Sequence, residues 1–156
     1  DAVNKMQAAF KGAEKENAAL KRQLATIKAK TLADNAHAIG GFKVIVSTLD
    51  GLSDEDLRGV CDILLERVKS GVVILSSKVE PKVIFAGKAS DDAVKAGIHV
   101  GKLIGDVAKI CGGGGGGKPQ MAMAGGKNPE MVPEALKSAA KTITAALMPK
   151  QNPAVD

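Results

Sequence analysis

Six consecutive glycines, Gly112–Gly117, are followed by Lys118, Pro119 and Gln120, and then by Gly125, Gly126 and Lys127. Glycine loses more backbone entropy on folding than any other residue, so such a run needs a reason. One reason is a flexible linker. The other is a loop whose backbone comes close to a ligand, with N–H groups turned toward an anion. In that second reading Lys118 follows the loop as a point charge for the anion, and Lys127 widens the basic footprint. The flanks speak for the second: an apolar helical pattern runs into Cys111, and an apolar run resumes at Met121. Gly112-x-x-x-x-Gly117-Lys118 fits seven positions of a P-loop, but Pro119 stands where Ser or Thr would ligate magnesium. The run also follows a helical pattern instead of a strand, so nucleoside triphosphate binding is rejected.

Other reactive side chains assemble no catalytic set. Asp54, Glu55 and Asp56 crowd one helix start, and Asp91-Asp92 another, where the helix dipole favours acids. Cys61 and Cys111 fall on apolar helix faces and read as small buried hydrophobes in a reducing compartment. A nucleophilic role for either needs an activating base, for which His99 is a weak candidate. With His37 and His99 far apart in sequence from both cysteines, no zinc site is expected. No cofactor is expected either.

Composition narrows the partner. The net charge is +5 over 156 residues. The excess lies at the two ends: Lys5, Lys11, Lys15, Lys21, Arg22, Lys28 and Lys30 precede residue 40, and Lys118, Lys127, Lys137, Lys141 and Lys150 follow residue 111. Such a distribution permits nucleic-acid binding. Trp and Tyr are absent and Phe occurs only at 10, 42 and 85, so base-stacking platforms are scarce. Recognition through backbone and shape is the better fit. Lys102 and Lys109 widen the basic footprint or are simply solvated charges. No apolar run reaches membrane-spanning length and no signal-peptide pattern opens the chain, so a cytoplasmic protein with no membrane partner is expected. The chain begins at Asp1 and is expected to be a piece of a longer protein.

The elements that position these residues follow from periodicity. Val3, Met6, Phe10, Ala13, Asn17, Leu20, Leu24 and Ile27 are spaced three and four apart, a heptad seam for a partner helix. Asn17 at a core position sets register at some cost in stability, and Glu16 and Lys21 fall at g and e. A parallel homodimer and an intrachain hairpin with an upstream helix fit this pattern equally. Gly40-Gly41 ends the helical segment, with a hinge before it and His37 a surface residue. Strands are expected at Phe42–Ser47, Val72–Leu75, Lys82–Ala86 and Met121–Ala124. The unbroken apolar run Val72–Leu75 implies a strand covered on both faces. Ser53 with Asp56 forms a capping box for a helix burying Leu57, Val60, Cys61, Leu64 and Val68. Ser90 caps another helix start, and Val100–Cys111 and Pro133–Leu147 are amphipathic, the last burying Leu136, Ala140, Ile143 and Leu147. The fold class is α/β: a small mixed sheet packed with helices, preceded by a long coiled-coil-like N-terminal arm. The expected division is a helical arm over 1–40, a globular domain over 41–148 and a disordered tail over 149–156.

Gly113–Gly126 resembles the signature of the C-terminal domain of alanyl-tRNA synthetase, the DHH-associated or C-Ala domain. That signature is a Gly-rich run, a basic residue, Pro, an acidic or amide residue, Met-Ala, a variable residue and Ala-Gly-Gly. Met123 departs from it, standing where the family carries Gln, and removes a polar group. A weaker resemblance extends over residues 42–147, with a coiled-coil lead-in. The resemblance implies a tRNA-binding module that docks on the outer corner, or elbow, of tRNA and links aminoacylation with editing in an alanine–tRNA ligase. The implied partners are alanine tRNA and the aminoacylation and editing domains upstream in the same chain. The implied tRNA contacts are Gly113, Gly114, Gly115, Gly116, Gly117, Lys118, Gln120 and Lys127. Related DHH phosphodiesterases pair a similar domain with an Asp-His-His catalytic domain, and a substrate-holding domain of that kind is an alternative. No Asp-His-His occurs here, so no activity is expected of this piece. A further alternative is a dimerisation or scaffold module, with Val3, Met6, Phe10, Asn17, Leu20, Leu24 and Ile27 as its interface.

Overall fold

A computed structural model describes residues 2–34, 36–79 and 81–147, with no side-chain placement at residues 2, 3, 18 and 25. The tail expected over 149–156 and the side chain of Val3 therefore lie outside the described residues. The elements run in the order α1 (Ala2–Asp34), β1 (His37–Ile39), β2 (Phe42–Thr48), α2 (Asp54–Val68), β3 (Gly71–Val79), β4 (Lys82–Ala89), α3 (Asp91–Lys95), α4 (Val100–Ile110), β5 (Gly114–Gly117), β6 (Met121–Gly126) and α5 (Val132–Leu147).

One mixed sheet has the order β1-β2-β3-β4-β6-β5. β2 and β3 pair in parallel across the α2 crossover, and the other neighbours are antiparallel. Alternation along β3 explains its unbroken apolar run. Val72 and Ile74 pack with α4 and α5 on one face, together with Phe85, Ile104 and Ile143. Val73 and Leu75 pack on the other with Leu57, Leu64 and Cys61 of α2. The end of α1 joins this second layer through buried Ala29 and Ala33.

Local signals act as read, with instructive differences. Ser53 Oγ accepts from Asp56 N at 3.2 Å, half of the capping box. The Asp56 carboxylate instead accepts from Arg22 Nε at 2.9 Å and ties α1 to α2. The helix expected to run to Gly40-Gly41 stops at Asp34, and the supposed hinge holds β1, which hairpins onto β2 through those two glycines at positive φ. After Ser90 the chain makes a five-residue helix, then a separate α4 capped by His99, whose Nδ1 accepts from Lys102 N at 3.2 Å. The buried ridge of α5 is Val132, Ala135, Ala139, Ile143 and Leu147. Leu136 and Ala140, expected inside it, are half-buried flanks, because the ridge follows the face against α4 and the sheet.

Candidate functional site

The glycine run is neither a linker nor an irregular loop. Gly114–Gly117 is β5, an edge strand with every residue exposed. It pairs Gly114–Gly125, Gly115–Ala124, Gly116–Met123 and Gly117–Ala122. Its other edge has no strand neighbour among the described residues.

Packing explains most of the glycines. A Cβ on Gly113 would run into the Gly125 carbonyl, and one on Gly117 would lie 2.7 Å from Met121 O. Gly115 has φ 153°, and a Cβ there would sit 2.5 Å from the Ala124 Cβ. α4 approaches from the sheet side through its own glycines. A Cβ on Gly101 would come 2.5 Å from Gly117 O, and one on Gly105 3.3 Å from Gly115 O. Gly114 is different: a Cβ there meets nothing within 4 Å. Its missing side chain answers to nothing inside the fold.

The polar candidates stand at the two ends of this strand. Lys118, Pro119 and Gln120 form the tip of the β5–β6 hairpin, while Lys127 follows β6 at the far end, about 20 Å away along the six residues of that strand. The tip is pinned by its backbone. Lys118 N donates to Met121 O at 2.8 Å, Val100 N to Pro119 O at 3.0 Å and Ala89 N to Gln120 O at 2.9 Å. At the far end Lys127 N and Asn128 N both donate to Cys111 O, at the C-cap of α4. Gly114–Gly117, Lys118, Gln120 and Lys127 thus lie along one exposed hairpin, whereas Gly113 is half-buried at its base, its N–H donating to Ala108 O at 2.8 Å.

Periodicity missed Asp91. It accepts a 2.6 Å hydrogen bond from Gln120 Nε2, across 29 positions of sequence. Its acidic neighbourhood read only as a helix start, and no local signal marks the contact. Gln120 and Asp91 border an open cleft that also holds Lys69, Ser90 and the Lys88–Asp62 ion pair.

Both cysteine side chains are buried. Burial, with a smaller push from Asp62 against the opposing Lys88, raises the Cys61 thiol to about 12. Burial also pushes Cys111 up. His99 Nδ1 is occupied as the α4 cap. Among the described residues no three His, Cys, Asp or Glu gather as metal ligands, and no helix is long and apolar enough to cross a membrane.

The seam of α1 is bare in a single chain. Met6, Phe10, Leu20, Leu24 and Ile27 are between 56% and 73% exposed. Asn17 is exposed beside them.

Known proteins share this sequence and architecture. The chain is 47% identical over 117 residues to the alanine–tRNA ligase of Alkaliphilus oremlandii, covering 75% of this chain and 13% of that protein. It is 37% identical over 148 residues to the alanine–tRNA ligase of Nostoc punctiforme, covering 94% of this chain and 17% of that protein. It therefore spans only a small part of these relatives. The crystal structure of the C-Ala domain from Aquifex aeolicus alanyl-tRNA synthetase superposes with a TM-score of 0.64 at 29% identity, covering 70% of this chain and 97% of that one. Residues 41–145, from the β1–β2 turn through the glycine strand to α5, match the DHHA1 domain, and the chain belongs to that family.

Proposed function

We propose that this chain is the tRNA-binding module of an alanyl-tRNA synthetase and docks on the tRNA elbow through the β5–β6 hairpin. The observation that carries the reading is β5 itself. An exposed edge strand of glycines lets an RNA surface reach backbone N–H groups with no Cβ in the way. Gly114–Gly117 supply that surface, and Gly113, with its own N–H bonded to Ala108 O, anchors the strand behind it. Lys118 and Lys127 meet phosphates at its two ends, and Gln120 meets a base edge or a ribose hydroxyl. The relatives named above support tRNA as the partner, with further domains of the same chain beside this one. In this reading residues 1–40 are a connecting arm, residues 41–148 the tRNA-binding domain, and the module presents one tRNA to the aminoacylation and editing sites in the cytoplasm. No chemistry is assigned to the piece itself.

The test compares binding of full-length tRNA with an acceptor-stem minihelix lacking the elbow, at several salt concentrations. Tight binding to the full tRNA and poor binding to the minihelix is the expected result. Equal weak binding to both would leave only nonspecific charge.

A second role is favoured by the bare seam of α1, in which Met6, Phe10, Leu20, Leu24 and Ile27 seek a partner helix. A homodimer through the arm and a hairpin with an upstream helix of the same chain both cover it.

A further inference from the structure

The bare strand β5 has a basic neighbour. α4 runs alongside it: a Cβ on Gly101 would come 2.5 Å from Gly117 O and one on Gly105 3.3 Å from Gly115 O, while Gly113 N donates to Ala108 O at 2.8 Å. The helix therefore follows the strand from the hairpin tip to its base. Lys102 and Lys109 stand three residues before and four residues after Gly105. Both neighbour that glycine on the helix surface, about 60° and 40° round from it. Both are exposed, and no ion pair among the described residues involves either. The one acid of α4, Asp106, is about 100° round from Gly105 and so lies farther from the strand.

The lysines of the hairpin complete the pattern. Val100 N donates to Pro119 O at 3.0 Å, which brings the turn carrying Lys102 to the end of the strand that carries Lys118. Lys127 N donates to Cys111 O at 2.9 Å, which brings Lys127 to the end of α4 that carries Lys109. Each end of the strand thus has one ammonium from α4 and one from the hairpin. Lys102 and Lys109 are about 10.5 Å apart along the helix, far enough to meet different phosphates. We infer that α4 is a second wall of the RNA-binding surface, with Lys102 and Lys109 holding phosphates of a strand that lies along the seam between α4 and β5. This rests on the tRNA-binding reading above and deepens it, by assigning two further contacts and a direction for the bound strand.

Salt dependence tests the assignment. Both lysines are exposed and alanine is the best helix former, so Lys102→Ala and Lys109→Ala are expected to leave α4 folded. Each should lower the slope of log K against log salt for full-length tRNA by roughly 0.7–0.9, and the double variant by roughly 1.4–1.8. Lys137→Ala is the control. It removes the same charge from α5, but Lys137 lines a groove with His37 and Ile39 of β1, at the opposite edge of the sheet. Its slope should stay that of the wild type. A double variant with an unchanged slope, or a Lys137→Ala slope that falls as far as that of either α4 variant, overturns the proposal. The preference of the wild type for full-length tRNA over the minihelix is measured in the same series. Its absence would overturn the functional reading itself. Its presence beside an unchanged slope in the double variant would overturn only the assignment of Lys102 and Lys109.

Discussion

Lys118 is exposed, and no ion pair among the described residues involves it. Its charge is therefore available, and its removal reports on phosphate contact alone. Lys118→Ala is expected to reduce the slope of log K against log salt by about one unit or slightly less, measured by titration with full-length tRNA. An unchanged slope would remove Lys118 from the site. Cys61 tests the opposite environment. The thiolate is the reactive form, and burial holds the thiol protonated up to about 12. Alkylation of Cys61 in the folded chain at neutral pH is thus expected to be far slower than in denaturant, read by mass spectrometry. The sign for stability follows from the same shift. The folded state keeps a proton that the unfolded chain loses near 9.0, so this contribution is full below that pH and is lost as pH rises toward about 12. Both cysteines were legible as buried from helical periodicity. The Gln120–Asp91 contact was not, because nothing local to either residue encodes a partner 29 positions away.

At the scale of the element, β5 separates glycines that the fold needs from one that it does not. Gly115→Ala puts a methyl against Ala124 at a φ that other residues rarely adopt, and is expected to cost about 1–3 kcal/mol in a denaturant melt. Gly114→Ala points its methyl into open space, and its stability should stay within about 1 kcal/mol of the wild type. If RNA lies against this strand, Gly114→Ala nevertheless weakens tRNA binding, measured in the same titration. A variant that is stable and binds fully would take the strand out of the interface. The strand could not be read from the sequence, since residues without side chains carry no alternation of apolar and polar positions. β1 escaped for a related reason. Its three residues are too short for a period, and pairing with β2 makes it a strand.

At the scale of the whole molecule, α1 divides into two parts. Its end is part of the core through Ala29 and Ala33, with Arg22 bonded to Asp56. Its earlier turns carry the exposed seam. Replacing Leu20 and Leu24 together by lysine is expected to convert any dimer of this chain to monomer in sedimentation, since both positions lie on that seam and charges there oppose burial. Affinity for full-length tRNA should remain largely intact, because the hairpin lies on the globular part. Equal loss of dimer and tRNA affinity would place the RNA contact on the arm.

Hydrophobic period and capping residues by themselves determined the helices, the central strands and the two-sided burial of β3, because each of these is a local pattern whose apolar atoms must leave water together. The string Gly113–Gly126 by itself carried the family. Tertiary structure alone decided that the glycines form an edge strand, that Gly101 and Gly105 let α4 approach it, and that Asp91 meets Gln120. These are contacts between backbones or between distant residues. A backbone hydrogen bond has no residue type, and a glycine has no side chain from which to infer its neighbour.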